Sequence, residues 1–476
     1  MFSSKPSPIQ PEAPVVSHPG DSPRSFFHFF NRLVPMNKFL TASLLTLSPL
    51  FLSFGASSAQ EQLAIRAGKV MLEPGKTLQG VTILIKDGKI REIGKDIKVP
   101  WNARVIDARK GFVMPAFILA HGSGGMDREN ESMPVTPFLS VMDSINPVDI
   151  FFENCRRAGY GAVHVIPGNA CAIGGTGGVF TPFGKTPEEM QILEPSVLKI
   201  SLQPTRGSRA DHYRTILTAL QDAINTKKDF ERRKKEFEED KKNGATTKKE
   251  FEEVLDPLKK PLIDLLEGKI GAMLYIPSAT DVPAAIRLCQ RFRFPVTFVL
   301  GGNSYKAVDV LKPFVKLRRI PLVLDPQLEI IETDPITKEK KRVSPVRIFA
   351  DAGLRFALTT PASSGRWGRT SNPTLNYPTW QCGTAIRNGL SPEKALAGFT
   401  TEAAAVLGLS HRLGKIKKGM EAYIQIRSAP PFEPESVVTH LLAGGQLIYQ
   451  RSKDPRVKAL TGAKGTNTNA GGGRSK

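Results

Sequence analysis

A chain of 476 residues with 40% hydrophobic content can bury a large core, and a barrel of about 250 residues plus an accessory domain fits that length. Four cysteines (Cys155, Cys171, Cys289, Cys382) show no C-x-x-C spacing, which argues against a structural zinc site. The formal charge of +21 sits partly in the two ends and in one lysine-rich insert, so it reads first as solvation and only second as attraction to anionic surfaces.

Residues 37–59 read NKFLTASLLTLSPLFLSFGASSA: a lysine, an apolar run, then small residues ending Ser57-Ser58-Ala59 before Gln60. That is the composition of a secretory signal peptide, and Pro49 with the small-residue end favours cleavage over a retained membrane anchor. Residues 1–35 lie upstream and are rich in Pro and Ser, so Met36 reads as the true start. The segment 36–59 would then be removed, leaving no stable membrane span in an exported, periplasmic or extracellular protein. In that oxidising space the cysteines could pair, and the pairing stays open.

From Gln62 the pattern is short strands with tight turns: LAIRAGKVM, a Pro74-Gly75 turn, VTILIKDGKIREIG with an Asp87-Gly88 hairpin signal, and RVIDA. The same texture returns in GKIKKGMEAYIQIRS and HLLAGGQLIYQ, so residues 60–111 with 410–450 read as one small β-domain assembled from both flanks. Between them, residues 112–409 alternate apolar runs with periodic stretches, the pattern of an α/β barrel. Strand candidates are AVHVIP (162–167), LKISLQ (198–203), GAMLYIP (271–277), PVTFVL (295–300), IPLVLD (320–325) and LRFALT (354–359). Residues 224–269 form a charged helical insert with Glu and Lys at i,i+4; its mixed signs and sparse phenylalanines argue against a nucleic-acid surface. Residues 451–476 read as a disordered basic tail.

The stretch Ile106–Gly125, IDARKGFVMPAFILAHGSGG, carries the chemistry signal: a buried apolar run that delivers His121 at its end. It resembles the first barrel strand of the amidohydrolase superfamily, metal-dependent hydrolases on a TIM-type (β/α)8 barrel, most closely the imidazolonepropionase-like branch. LGKIKKGMEAYIQI is similar to the closing segment of that family, with Tyr423 where an aspartate is usual, and the charged insert has its counterpart there too. The resemblance implies an α/β fold of that barrel with a small β-sandwich domain made by the flanks.

It also implies where metal ligands belong. The family's His-x-His is here His121-Gly122-Ser123; the fifth-strand histidine position falls on Pro277, the sixth on Leu300 or Gly301, and the eighth-strand aspartate on Thr360 or Pro361. Lys199 lies where a fourth-strand lysine can sit. Of seven histidines, His18 and His28 precede the signal and His411 and His440 follow the barrel, leaving His121, His164 and His212. His164 reads as a core histidine, His212 as lying at a helix start or in a loop, and Asp127, Glu129 and Glu131 as a solvated loop. Asp325 and Asp351 carry no motif, and Ser123 lacks the strand-to-helix elbow of a serine nucleophile.

PGNACAIGGTGGVF (167–180) lacks both nucleotide-loop spacings and reads, by resemblance, as a loop at the barrel mouth. Candidate mouth or substrate residues are therefore Ser123, Lys199, Gly174, Gly175 and Arg366, with Trp367 and Arg369 beside the last. The family activity is hydrolysis of a C–N bond, often in a cyclic amide, by metal-activated water. Two readings stay open. One is a small-molecule hydrolase with one divalent metal (zinc, iron or manganese) on His121, or none and a degenerate site. The other is a non-catalytic ligand-binding or assembly protein on the same barrel. No nucleic-acid partner is expected, and oligomeric state is not legible. N-terminal sequencing of the exported protein is expected to begin at Gln60; a start at Met1 or Met36 refutes the cleavage reading.

Overall fold

The computed structural model describes residues 62–205, 207–244, 250–361 and 377–462. The leader (1–59), Arg366 with its neighbours and residues 463–476 lie outside the described residues.

Four strands open the described chain: β1 (Gln62–Glu73), β2 (Lys76–Lys86), β3 (Lys89–Gly94) and β4 (Arg104–Pro115). Asp87 and Gly88, at φ 52° and 75°, turn β2 back onto β3; positive φ at both central residues matches the right-handed twist of a tight hairpin. β1 pairs antiparallel with β2 and parallel with β4, and Ile65, Val70, Ile83, Ile85 and Ile106 fill the core between them.

After Pro115 the chain needs only Ala116 to enter β5 (Phe117–Gly122), which runs straight out of the flanking sheet. The helix Ile150–Ala158 returns the chain to β6 (Tyr160–Val165), parallel to β5. Asp149 caps that helix by accepting from Phe151 N at 2.7 Å, and Gly159 at φ 92° ends it in the left-handed region. Next come β7 (Ile173–Thr176), β8 (Gly178–Phe180), β9 (Gln191–Leu193) and β10 (Val197–Ser201). β11 (Gly271–Ser278), β12 (Val296–Asn303) and β13 (Leu322–Leu324) follow, separated by the helices Val282–Phe292 and Val308–Arg318. β10 to β13 pair in parallel, and Ala357 continues the series as a parallel bridge to Val323.

The stretch 167–180 is therefore not a loop throughout: it contains the buried strands β7 and β8. Its glycines permit close approach, since a Cβ on Gly175 would lie 2.3 Å from the Leu139 carbonyl oxygen.

Side-chain alternation along the parallel strands sorts two faces. Leu198, Ile200, Leu274, Ile276, Phe298 and Leu300 pack with the helices in the larger core, whereas Met273, Tyr275, Val299 and Val323 belong to a second one. Lys199 pairs in register with Met273 and Ser201 with Tyr275, so both polar residues fall in phase with that second face.

The helix that carries the start of the charged insert begins before residue 224. One 34-residue helix, Arg209–Lys242, starts on a Ser208 cap, buries His212, Ile216, Leu220 and Ala223, and then leaves the core as its sequence turns charged. The hairpin β14 (Ile330–Thr333) and β15 (Lys340–Val343) precedes β16 (Ile424–Arg427), β17 (Val438–Ala443) and β18 (Gln446–Gln450). These last three join β4, giving one seven-stranded sheet in the order β18-β17-β16-β4-β1-β2-β3, built from both flanks. Among the described residues no helix is long and apolar enough to cross a membrane.

Order continues past 451, contrary to the tail expectation: Arg451–Lys453 form a turn and Pro455–Leu460 a short helix. The physical reason is Asp454, buried at 5% exposure, which accepts from Arg157 Nε at 2.7 Å and caps the helix through Arg456 N at 2.9 Å. The Arg157 guanidinium holds the Asp454 carboxyl down at about 2. Asp454→Asn is expected to cost about 1–3 kcal/mol in denaturant unfolding at pH 7. A lowered folded-state pKa stabilises above the ordinary carboxylate range, so the difference should shrink as pH falls from about 4 toward 2.

Candidate active site

β5 ends by presenting His121, and β10 presents Lys199 from the neighbouring sheet. Lys199 is fully buried, and its Nζ donates to His121 Nε2 at 3.0 Å and to Asn169 Oδ1 at 2.7 Å. An ammonium has donors only, so His121 Nε2 must accept and the ring carries its proton on Nδ1. Burial, then the Lys199 charge and His164, hold His121 well below the usual imidazole range, keeping it neutral. Burial lowers Lys199 only to about 8, so it remains an ammonium at neutral pH. The same Nζ lies 5.7 Å from the centroid of the Tyr275 ring, whose hydroxyl donates to Asp325 Oδ2 at 3.4 Å. Among the described residues no carboxylate pairs with Lys199.

The acceptors are themselves held. Ser201 Oγ donates to the Asn169 carbonyl at 2.8 Å, tying the loop after β6 to β10. Thr359 Oγ1 donates to the His121 carbonyl at 2.7 Å, which fixes the end of β5 against the stretch after Ala357. Gly174 leaves room at the root of the lysine: a Cβ there would lie 3.3 Å from Lys199 Cβ. Gly175 packs against Leu139 instead, away from the amine.

No family model matches the chain. An imidazolonepropionase of Geobacillus kaustophilus is 29% identical over 91 residues, 19% of this chain and 20% of that protein. The amidohydrolase tasK of Hapsidospora irregularis is 23% identical over 385 residues, 73% of this chain and 38% of that one. The crystal structure of an amidohydrolase from Thermotoga maritima superimposes with a TM-score of 0.68 at 25% identity, covering 82% of this chain and all of that one. These likenesses support a resemblance to the amidohydrolase superfamily, in its imidazolonepropionase-like branch. It spans less than two thirds of the length of the curated relatives above.

With that kinship, each ligand position of the amidohydrolases can be inspected. Among the described residues no three His, Cys, Asp or Glu side chains form a group able to hold a metal ion. Ser123, at the second histidine position just after β5, is buried at 5% exposure. At the sixth-strand position Gly301 has no space for a side chain: a Cβ would meet the Pro277 carbonyl oxygen at 2.8 Å and the Tyr275 hydroxyl at 3.0 Å. Leu300 points the other way, into the core shared with the helices. Thr360 shares a hydrogen bond of 3.1 Å with Tyr160.

The other histidines have structural partners. His164 is fully buried; Nδ1–H donates to the Ala120 carbonyl at 2.9 Å, and Nε2 accepts from Ser196 Oγ at 2.9 Å. His212, in the first turn of the helix Arg209–Lys242, bonds the Ser201 carbonyl at 2.8 Å. The four cysteines are buried free thiols. Sequence reasoning did not find Asn169 and Tyr275. Asn169 sits in a glycine-rich loop with no motif of its own, while Tyr275 was accessible through its two-residue phase with Met273 on a strand beside LKISLQ.

Burial drives His164 down to about 4. A histidine depressed in the folded state stabilises above its unfolded pKa, and that contribution is lost as pH falls from about 6.5 toward 4. The drop should approach about 3 kcal/mol. Unfolding free energies measured between pH 7.5 and 4 are expected to show this slope in the wild type and a flatter one in His164→Gln.

Proposed function

We propose that this is an exported amidohydrolase-family protein, of the class acting on non-peptide C–N bonds such as cyclic amides, whose metal centre is degenerate and whose barrel mouth holds a small-molecule ligand. The observation that carries the reading is the bond from Lys199 Nζ to His121 Nε2. A divalent ion needs the lone pair of that imidazole, and here the lone pair is engaged by an ammonium proton. A dication placed there would also face the fixed positive charge of Lys199. The remaining donors do not fit a metal either: Asn169 is neutral and Pro277 and Gly301 have no side chain that ligates. No step through a metal is derived for this chain.

The strand series from β5, β6 and β10 to β13 is read as arcs of one (β/α)8-type barrel. Support comes from the Val323–Ala357 bridge, the Thr359–His121 bond and the bond from Ile118 N to the Phe399 carbonyl at 2.8 Å, which lead from the last strands back to the first. The flanking sheet is read as the small β-domain of the same architecture. A non-catalytic ligand-binding role is the second reading, favoured by the same buried ammonium, because a tethered cation offers no open coordination position for water.

Elemental mass spectrometry of the exhaustively dialysed chain from Gln60 is the test. The expected result is no stoichiometric zinc, iron or manganese, with His121→Ala identical to wild type. One tightly held ion per chain, lost in His121→Ala, overturns the reading and restores a metal hydrolase.

A further inference from the structure

We propose that the Lys199 cluster is the binding site for a small molecule carrying one carboxylate, whose charge balances the buried ammonium. The inference rests on the reading above, in which no metal occupies this place.

A buried cation is strongly disfavoured unless it is paired and fully hydrogen-bonded. Lys199 is at 0% exposure, yet both of its oxygen or nitrogen acceptors, Asn169 Oδ1 and His121 Nε2, are neutral. Three N–H donors are available and these acceptors use two; the Tyr275 ring face at 5.7 Å supplies only a weak, uncharged neighbour. One positive charge and one donor are thus left for a ligand to satisfy.

The two acceptors of the amine, His121 and Asn169, are only half-buried, so the cluster lies at the edge of the buried interior. The charge count selects the ligand. A single ammonium among neutral groups matches a monoanion, and Asp325, bonded to Tyr275 at the same mouth, disfavours a second negative charge. A carboxylate also accepts a charge-assisted hydrogen bond from an ammonium in the geometry of a short N–H···O contact. Asn169, its carbonyl held by Ser201 Oγ at 2.8 Å, accepts from the amine and does not neutralise it.

The experiment titrates the mature chain with N-acetylglycine, its neutral methyl ester, and inorganic phosphate by calorimetry, after chelator treatment and with metal content measured on the same sample. The acid is expected to bind at least about tenfold more tightly than the ester, the worth of one charge-assisted hydrogen bond. Lys199→Met should abolish that preference. Asn169→Asp should abolish it too, by placing an internal carboxylate beside Nζ, with a melting midpoint no lower than wild type. This second variant decides the matter if Lys199→Met does not fold. Equal binding of acid and ester, no binding of the acid, tighter binding of phosphate, or a preference that survives Asn169→Asp would each overturn the proposal. Stoichiometric metal in the untreated sample refutes the metal-free reading instead, and the acid-over-ester ratio of the stripped protein is scored separately.

Discussion

The hydrogen bond between the Lys199 ammonium and the neutral His121 imidazole sets the character of the strand ends around it. It decides the tautomer of His121, engages the one lone pair on β5 suited to a metal, and puts a fixed positive charge among neutral groups. An ammonium resembles a bound metal in being a cation at the strand ends. It differs in having no vacant coordination site and no power to acidify water. A site organised this way is suited to holding a charge-complementary ligand.

The scaffold makes the interaction possible by simple geometric means. β10 alternates strictly, so with Leu198 and Ile200 in the helix-facing core, Lys199 must point to the opposite side. Gly174 leaves the space that the lysine stem needs, and Gly301 leaves the space into which the Tyr275 hydroxyl extends. The direct passage from β4 through Ala116 into β5 ties the flanking sheet to the strand that carries His121, so the imidazole is anchored by the most extensively paired sheet of the chain.

The remaining histidines show how the same residue type serves packing. His164 uses both ring nitrogens inside the protein, and His212 secures the Ser201 carbonyl at the end of β10. Ser201 in turn holds Asn169. His212 thus supports the site through the chain of contacts Ser201–Asn169–Lys199 without touching the amine.

The alternation of apolar runs with turn residues made the strands legible, because burial imposes a period of two on any strand with one packed face. Asp87-Gly88 announced its hairpin, and the run before His121 announced a strand delivering a polar group to its end. Legibility failed where local chemistry and tertiary context disagree. The glycines of 173–180 look like loop formers, yet close packing against Leu139 and Lys199 draws them into strands. Asp454 lies in a basic, polar stretch, yet a distant partner, Arg157, holds it in place. The sequence by itself determined the fold family, most of the strand positions and the presence of proline, leucine or glycine at 277, 300 and 301, since these depend on residue type and spacing. Only the tertiary structure decided that Lys199, His121 and Asn169 meet, because a hydrogen bond between strands far apart in the chain depends on register and on which side chains leave room.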